Sequence, residues 1–194
     1  MKQITRQTSP ASFEKWKGNN KSANWSDFGK EENSSFEIKT EVKERLISQQ
    51  NNLCGYCEIA VQMGDSHIEH LKDRNNYPKD MFNYNNFIAS CQHTDSCGHY
   101  KGTGYFSGFV SPFGRCEGRF TYTRNGKIIP VDENDTDALN TIKVLDLNCK
   151  RLIDRRVGII KTLEYADEDY INECLPNCID WFHGFYTVVK YMQN

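Results

Sequence analysis

One stretch of the chain concentrates the side chains able to do chemistry. Cys54 and Cys57 enclose two residues in Cys-Gly-Tyr-Cys-Glu, a spacing at which two thiolates can share one tetrahedral zinc ion. Cys91 and Cys97 are farther apart than the usual second pair, with Gln-His-Thr-Asp-Ser between them, and His93 could replace one of them as a ligand. In a small unit with little core, an ion held in this way would tie the surrounding elements together. Between the two pairs stand His67-Ile68-Glu69-His70 and Asn86, and His99 follows just after the last cysteine. Hydrolysis of a phosphodiester needs a base to take a proton from water and a cation to carry charge on the phosphate and the departing oxygen. An imidazole titrates near neutral pH and suits the first task. A carboxylate helped by a residue from a later helix suits the second, because Mg²⁺ takes few protein ligands and keeps several waters. His67 could do either job. An acid–His pair alone is more often a surface turn. Set between two cysteine pairs, with Asn86 shortly before Cys91, Glu69-His70 reads as a site in which imidazole and carboxylate converge on one scissile phosphate.

The elements that must position these groups are legible in outline. Residues 1–35 read as an N-terminal arm, polar and broken by Pro10, Gly18 and Gly29. Its Phe13, Trp16, Trp25 and Phe28 are expected to pack an extended segment onto the domain rather than stack on bases. Ser34-Ser35 predicts a capped helix running to about Gln50, with Phe36, Val42, Leu46 and Ile47 on its buried face. From Cys54 to His70 the pattern predicts a short β-hairpin, bent at Met63-Gly64-Asp65, with Ile59, Val61 and Ile68 in its strands. Residues 71–84 read as an irregular loop, and a short helix should start near Cys97. Beyond Gly104, Tyr105–Val110 and Arg119–Thr123 look like strands. Asn125-Gly126 predicts a type I′ turn, with Lys127–Val131 returning. Asp135-Thr136-Asp137 can cap a helix from Ala138 to about Val144. A further helix covers about Lys150–Ala166, with Leu152, Ile153, Val157, Ile160 and Leu163 on one side, and a last one covers about Pro176–Met192. The expected fold is α+β: a helix and a zinc-bound hairpin-and-helix core over residues 36–104, then a β-hairpin and a helical C-terminal half over 105–194.

Composition limits the partners. The chain of 194 residues carries a formal net charge of −2, so any affinity for nucleic acid must come from a local patch or a partner. A mean hydropathy of −0.72 marks a polar protein, yet 12% aromatic residues exclude a disordered one. No apolar run could cross a bilayer, and Met1-Lys2-Gln3-Ile4-Thr5-Arg6 lacks the apolar core of a secretory leader. Both predict a cytoplasmic protein whose thiols stay reduced. Its 8 cysteines then read as metal ligands and buried thiols rather than disulfides.

The order of acid–His step, Asn and late metal ligand resembles the HNH endonucleases of the ββα-metal type, in the subgroup whose finger is stapled by zinc. More narrowly, several segments are similar to the PtuB nucleases of Septu and retron-associated anti-phage systems. They are Cys54-Gly-Tyr-Cys-Glu, Ile68-Glu-His-Leu, the approach from Asn86 to Cys91, Cys97-Gly-His-Tyr-Lys-Gly, and Thr141-Ile-x-x-Leu-x-Leu-Asn148 with Arg155-Arg156. The resemblance implies His70 as general base, and Glu69 and His99 as ligands of a catalytic Mg²⁺ or Mn²⁺. It implies Asn86 as a brace of the loop carrying the base, structural Zn²⁺ on Cys54, Cys57, Cys91 and Cys97, and Lys101 as a phosphate contact. There is one departure: many relatives place His directly after the last cysteine, where Gly98 stands here. Which of His99, His67 and His93 ligates a metal therefore stays open. As partners the resemblance implies a PtuA-like ATPase of the ABC/SMC type, in some systems a retron reverse transcriptase with its msDNA, and a nucleic-acid substrate, DNA before RNA. Two other readings share these residues: a nuclease directed at RNA such as tRNA, and a zinc-finger module that grips nucleic acid or protein without cutting.

Other candidates are weaker. Cys116, Cys149, Cys174 and Cys178 are too dispersed for a second clip and read as buried thiols. Lys150, Arg151, Arg155 and Arg156 form a basic cluster that is either a phosphate contact or a solvated helix face. His183, among Trp181, Phe182 and Phe185, reads as a packing residue or part of a partner-contact patch.

Overall fold

The N-terminal arm is partly helical rather than extended. The structure, a computed structural model, describes residues 1–32 and 34–193. Pro10, which has no N–H to satisfy, precedes helix α1 (Ala11–Asn19). From α1 and the turns after it, Phe13 and Phe28 are buried against Val42, Leu46 and Phe87, with Trp16, Trp25 and Phe82 leaning on the same cluster. The aromatics pack as expected, on a different backbone. Helix α2 (Ser35–Gln49) buries Val42, Leu46 and Ile47, but Phe36 is exposed. Ser34 makes no capping hydrogen bond through its side chain; Ser35 Oγ instead accepts the Gly29 N–H at 2.7 Å.

After α2 the chain forms a tight knuckle. Cys54 donates its N–H to Ile59 O at 2.8 Å, Glu58 to Cys54 O at 3.0 Å, and Gly55 to Ala89 O at 3.0 Å. Glycine leaves room here: a Cβ at 55 would lie 2.1 Å from Ile88 Cδ1 and would force that buried side chain to shift. The expected hairpin within Cys54–His70 does not form. Its first arm takes backbone partners elsewhere: Ala60 donates to His183 O and Val61 to Asn52 O, both at 2.8 Å. Strand β1 (Ser66–His70) pairs antiparallel with β2 (Phe87–Cys91) instead, placing His67 opposite Ser90, Glu69 opposite Ile88 and His70 opposite Phe87. The loop between them is irregular, and the short helix α3 (Cys97–Lys101) follows β2. Strand β2 is buried throughout because it divides two cores. Phe87 and Ala89 join the aromatic cluster, and Ile88 and Cys91 join the larger core shared with the C-terminal helices.

The second sheet is the hairpin β3 (Phe120–Tyr122) and β4 (Ile128–Pro130). Its turn is not type I′. Gly126 has φ +78°, but Asn125 is not in the left-handed region, which fits a type I turn closed by a left-handed glycine. Tyr105–Val110 forms turns instead of a strand, with the Val110 N–H taken by Thr141 Oγ1 at 2.9 Å. Helix α4 (Thr136–Val144) is capped by Asp135, which accepts the Ala138 N–H, and α5 (Lys150–Leu163) follows. Helix α6 (Glu168–Cys174), not expected from the sequence, comes next, and the single helix expected over about Pro176–Met192 is broken into α7 (Cys178–Phe182) and α8 (Tyr186–Tyr191). The break has a cause: His183 and Phe185 adopt positive φ so that Gly184 can bridge to Ile59. There Glu58 accepts the Thr187 N–H at 2.8 Å and hydroxyl at 2.6 Å, tying the knuckle to α8.

These contacts settle the weaker candidates. Arg156 is buried and donates to Gly126 O, Arg151 pairs with Asp95, and Lys150 pairs with Asp154, so the basic cluster is dispersed and only Arg155 is left exposed and unengaged among the described residues. His183 is exposed and does not pack. Cys116, Cys174 and Cys178 are buried and Cys149 is half-buried. Among the described residues no helix is long and apolar enough to cross a membrane.

Candidate active site and metal centre

Three elements converge to build a sulfur cage. The knuckle supplies Cys54 and Cys57, the end of β2 supplies Cys91, and the first residue of α3 supplies Cys97. All four are buried and their Sγ atoms lie within 4.8 Å of one another. Cys54 and Cys97 sulfurs are 3.8 Å apart, and those of Cys57 and Cys91 are 4.0 Å apart. A tetrahedron with metal–sulfur bonds of about 2.3 Å has edges of about 3.8 Å. The cage could therefore hold a metal ion such as zinc. His93 is exposed and stands outside it. Cys97 sits in the left-handed region at φ +61°, held there by its N–H on Leu145 O at 2.8 Å. The thiols compete for one negative charge. Burial opposes ionisation of Cys54, but hydrogen bonds with Cys57, Cys91 and Cys97 outweigh it and hold its thiol well below the usual range. Its hydrogen bonds with Cys54 and Cys91 push Cys57 well above that range, and burial does the same for Cys97. A cation at the centre would relieve that competition.

Beside the cage lies an open cleft of about 540 Å³. Alternation along β1 turns His67 and Glu69 toward α3 and His70 to the other face. Glu69 Oε1 lies 2.9 Å from Lys101 Nζ. That ammonium is buried and also donates to the carbonyls of His70 at 3.1 Å and Leu71 at 3.2 Å. Lys101 thus fixes the carboxylate and offers no exposed charge, so the phosphate contact expected of it does not fit this geometry. Glu69 Oε2 lies 3.7 Å from His67 Nε2. The His67 ring faces that of His99 at 4.1 Å between centroids, and His99 Nε2 is 2.7 Å from Gln92 Oε1. Burial and the neighbouring His67 lower the His99 pKa, against the pull of Glu69.

His70 is buried on the opposite side of the strand, so it does not turn toward Glu69 and His99 as expected; both groups line the same cleft from different sides. Its Nε2 is 2.9 Å from Met81 O. A carbonyl oxygen can only accept, so Nε2 carries the proton and Nδ1 keeps the lone pair that a base needs. Trp25 and Phe87 meet the ring edge-to-face at 4.4 and 5.0 Å. Burial pushes the His70 pKa down to about 4, below the near-neutral titration expected from sequence. Asn86, also buried, stands behind the loop. Its Oδ1 accepts the Lys72 N–H at 2.8 Å, its Nδ2 donates to Lys72 O at 2.9 Å and Asp80 O at 3.2 Å, and its carbonyl accepts the Leu71 N–H at 2.9 Å. One side chain thereby joins the start of the loop to the turn that presents Met81 O.

Sequence reasoning missed Trp25, Lys39, Arg74 and Gln92, all of which line the cleft. Lys39 Nζ and the Arg74 guanidinium lie 5.2 and 5.5 Å from the Trp25 ring centroid. They form a local cationic rim on a chain of net charge −2. Arg74 and Gln92 left a signal, the first as a cation in the loop after the acid–His step and the second beside Cys91; Trp25 and Lys39 arrive from distant segments.

No protein-family model matches the chain. A curated protein of Vibrio cholerae serotype O1 biovar El Tor, named "Retron Vc95 putative HNH endonuclease", is 26% identical to it over 159 residues, which is 72% of this chain and 77% of the relative. The chain that builds this cage and cleft is thus similar, over most of its length, to a protein named as a retron HNH endonuclease.

Proposed function

We propose that this protein is an HNH endonuclease that hydrolyses phosphodiester bonds of nucleic acid with the help of a divalent ion. The similarity to a retron HNH endonuclease supports the class. One observation carries the reading: a buried imidazole, locked in one tautomer by a loop that Asn86 braces, lines the same cleft as the Glu69 carboxylate. In this mechanism His70 Nδ1 takes the proton of the attacking water. A bound phosphate raises the His70 pKa from about 4 toward neutrality, because a nearby anion favours the charged ring. Lys39 and Arg74 hold the flanking phosphates at the rim. Lys101 orients Glu69, which would hold Mg²⁺ or Mn²⁺ together with one imidazole of the neighbouring pair His67 and His99. When bound, that ion supplies positive charge at the scissile phosphate and the departing oxygen. Zn²⁺ on Cys54, Cys57, Cys91 and Cys97 has the separate, structural task.

DNA is the favoured substrate. In its biological setting the protein is an effector of anti-phage defence in the cytoplasm, of the PtuB kind. It acts with a PtuA-like ATPase and, in a retron system, with a reverse transcriptase and its msDNA. A net charge of −2 supports a nuclease that leaves part of substrate capture to a partner. The test is parallel incubation with DNA and RNA, with Mg²⁺ or Mn²⁺, alone and with the ATPase. DNA cleavage is expected, and His70→Ala should lower it by about 100-fold or more while zinc stays bound. Cleavage of RNA alone would redirect the enzyme to substrates such as tRNA. Binding without cleavage, unchanged in His70→Ala, would make it a recognition module.

A further inference from the structure

We infer that His67 is the second protein ligand of the divalent ion on Glu69, and that Gly98 forms the floor that admits it. The inference rests on the divalent-ion reading above and assigns the residue that the sequence left open. His67 and Glu69 are two positions apart on β1 and so project from one face of it. The two carboxylate oxygens have different surroundings: Oε1 meets Lys101 at 2.9 Å, and Oε2 faces His67 Nε2 at 3.7 Å. That second distance is too long for a hydrogen bond. Two donors each about 2.1 Å from a shared ion stand roughly 3.0–3.7 Å apart for angles between 90° and about 120°. The separation fits two ligands of one cation.

Gly98 supplies the second observation. A Cβ built on it would lie 2.8 Å from Glu69 Cδ, 2.9 Å from Oε2 and 2.9 Å from His67 Nε2. Any side chain at 98 would start from the gap that these two groups share. Ser90 holds Gly98 there, its Oγ accepting the Gly98 N–H at 3.1 Å. The imidazole of His67 is also unclaimed: Nδ1 is buried with no hydrogen-bond partner among the described residues, and Nε2 faces Glu69 Oε2 across 3.7 Å. A half-buried polar ring with no hydrogen bond calls for a ligand. His99 is differently placed. Its Nε2 is taken by Gln92, and its ring lies beside that of His67 at 4.1 Å between centroids.

The experiment is titration of Mn²⁺ into the zinc-loaded protein, followed by the electron paramagnetic resonance signal of free Mn²⁺, with zinc content and circular dichroism as checks on the fold. Wild type should bind one Mn²⁺, and His67→Ala should weaken binding roughly tenfold or more. His99→Ala should weaken it less. Gly98→Ala keeps every ligand but pushes a methyl between two of them, so it should also weaken binding. His67→Ala/Gly98→His, which starts an imidazole from the same gap, should recover it; if that double variant does not fold, Gly98→Ala decides. Mn²⁺ binding that survives His67→Ala and Gly98→Ala but not His99→Ala overturns the inference and leaves the nuclease reading standing. Binding unaffected by Glu69→Gln, or absent from wild type, overturns the divalent-ion reading itself.

Discussion

Replacing Asn86 by alanine should loosen the loop that fixes His70. Its side chain makes three hydrogen bonds, to the Lys72 N–H at 2.8 Å, Lys72 O at 2.9 Å and Asp80 O at 3.2 Å. Asn86 is buried, so the Lys72 N–H loses its acceptor in a place that water does not readily reach. Stranding such a donor costs about 1–3 kcal/mol, and each lost bond to a carbonyl adds about 0.5–1 kcal/mol. Asp80 O keeps the Asn83 N–H at 3.2 Å, which holds its share to the lower end. The sum is about 2–4 kcal/mol. In a domain of this size ~1 kcal/mol moves Tm by about 2–4 °C, so calorimetry of the zinc-loaded protein should show a fall of roughly 5–15 °C. Asn86→Asp is the sharper probe. The carboxylate keeps the acceptor for Lys72 N–H but turns its second oxygen on two carbonyl oxygens, so at neutral pH it should cost as much as alanine or more. Because Met81 follows Asp80, both variants should also free His70 Nε2 and slow cleavage well below Tm. An Asn86→Ala protein melting within about 2 °C of wild type, or an Asn86→Asp protein more stable than it, would refute the reasoning.

Stripping an ion from the four cysteines, or Cys57→Ser, should abolish the near-UV circular dichroism, because the knuckle, β2 and α3 would all be tied by that ion. An unchanged spectrum after metal release would show that the cage is not structural. The pH dependence of stability should carry the signature of His70, whose pKa is about 4 when folded against 6.5 unfolded. Protonation favours the unfolded chain, so the contribution is fully present above pH 6.5 and is lost as pH falls toward 4. Across that window wild type should lose up to about 3 kcal/mol more than His70→Gln in denaturant unfolding, and parallel curves would contradict the assignment.

The features legible in the sequence were those whose physics is local. Cys54-x-x-Cys57 needs only a tight turn, Asp135 needs only the N–H of Ala138, and Asn125-Gly126 marks a chain reversal, although not its turn type. Ser-His-Ile-Glu-His was recognisable as a strand end, although its partner was not. Strand pairing is a contest between distant segments: β2 took β1, and Ile59–Val61 found backbone partners at His183 and Asn52 instead. The continuous apolar pattern after Pro176 hid two left-handed residues, because their reason is a backbone bridge to the knuckle.

The same division runs through the site. Residue types alone determined that four thiols, an acid–His step and an asparagine stand at spacings suited to a metal staple and a hydrolytic centre. Only the tertiary structure decided what each group meets. It folded Lys101, which the resemblance made a phosphate contact, beneath three carbonyls and a carboxylate. It set Trp25 against His70 and so lowered the affinity of that ring for a proton. It also placed Gly98 where Glu69 and His67 approach each other. Desolvation and ligand geometry depend on atoms brought together across the chain, and no local spacing records them.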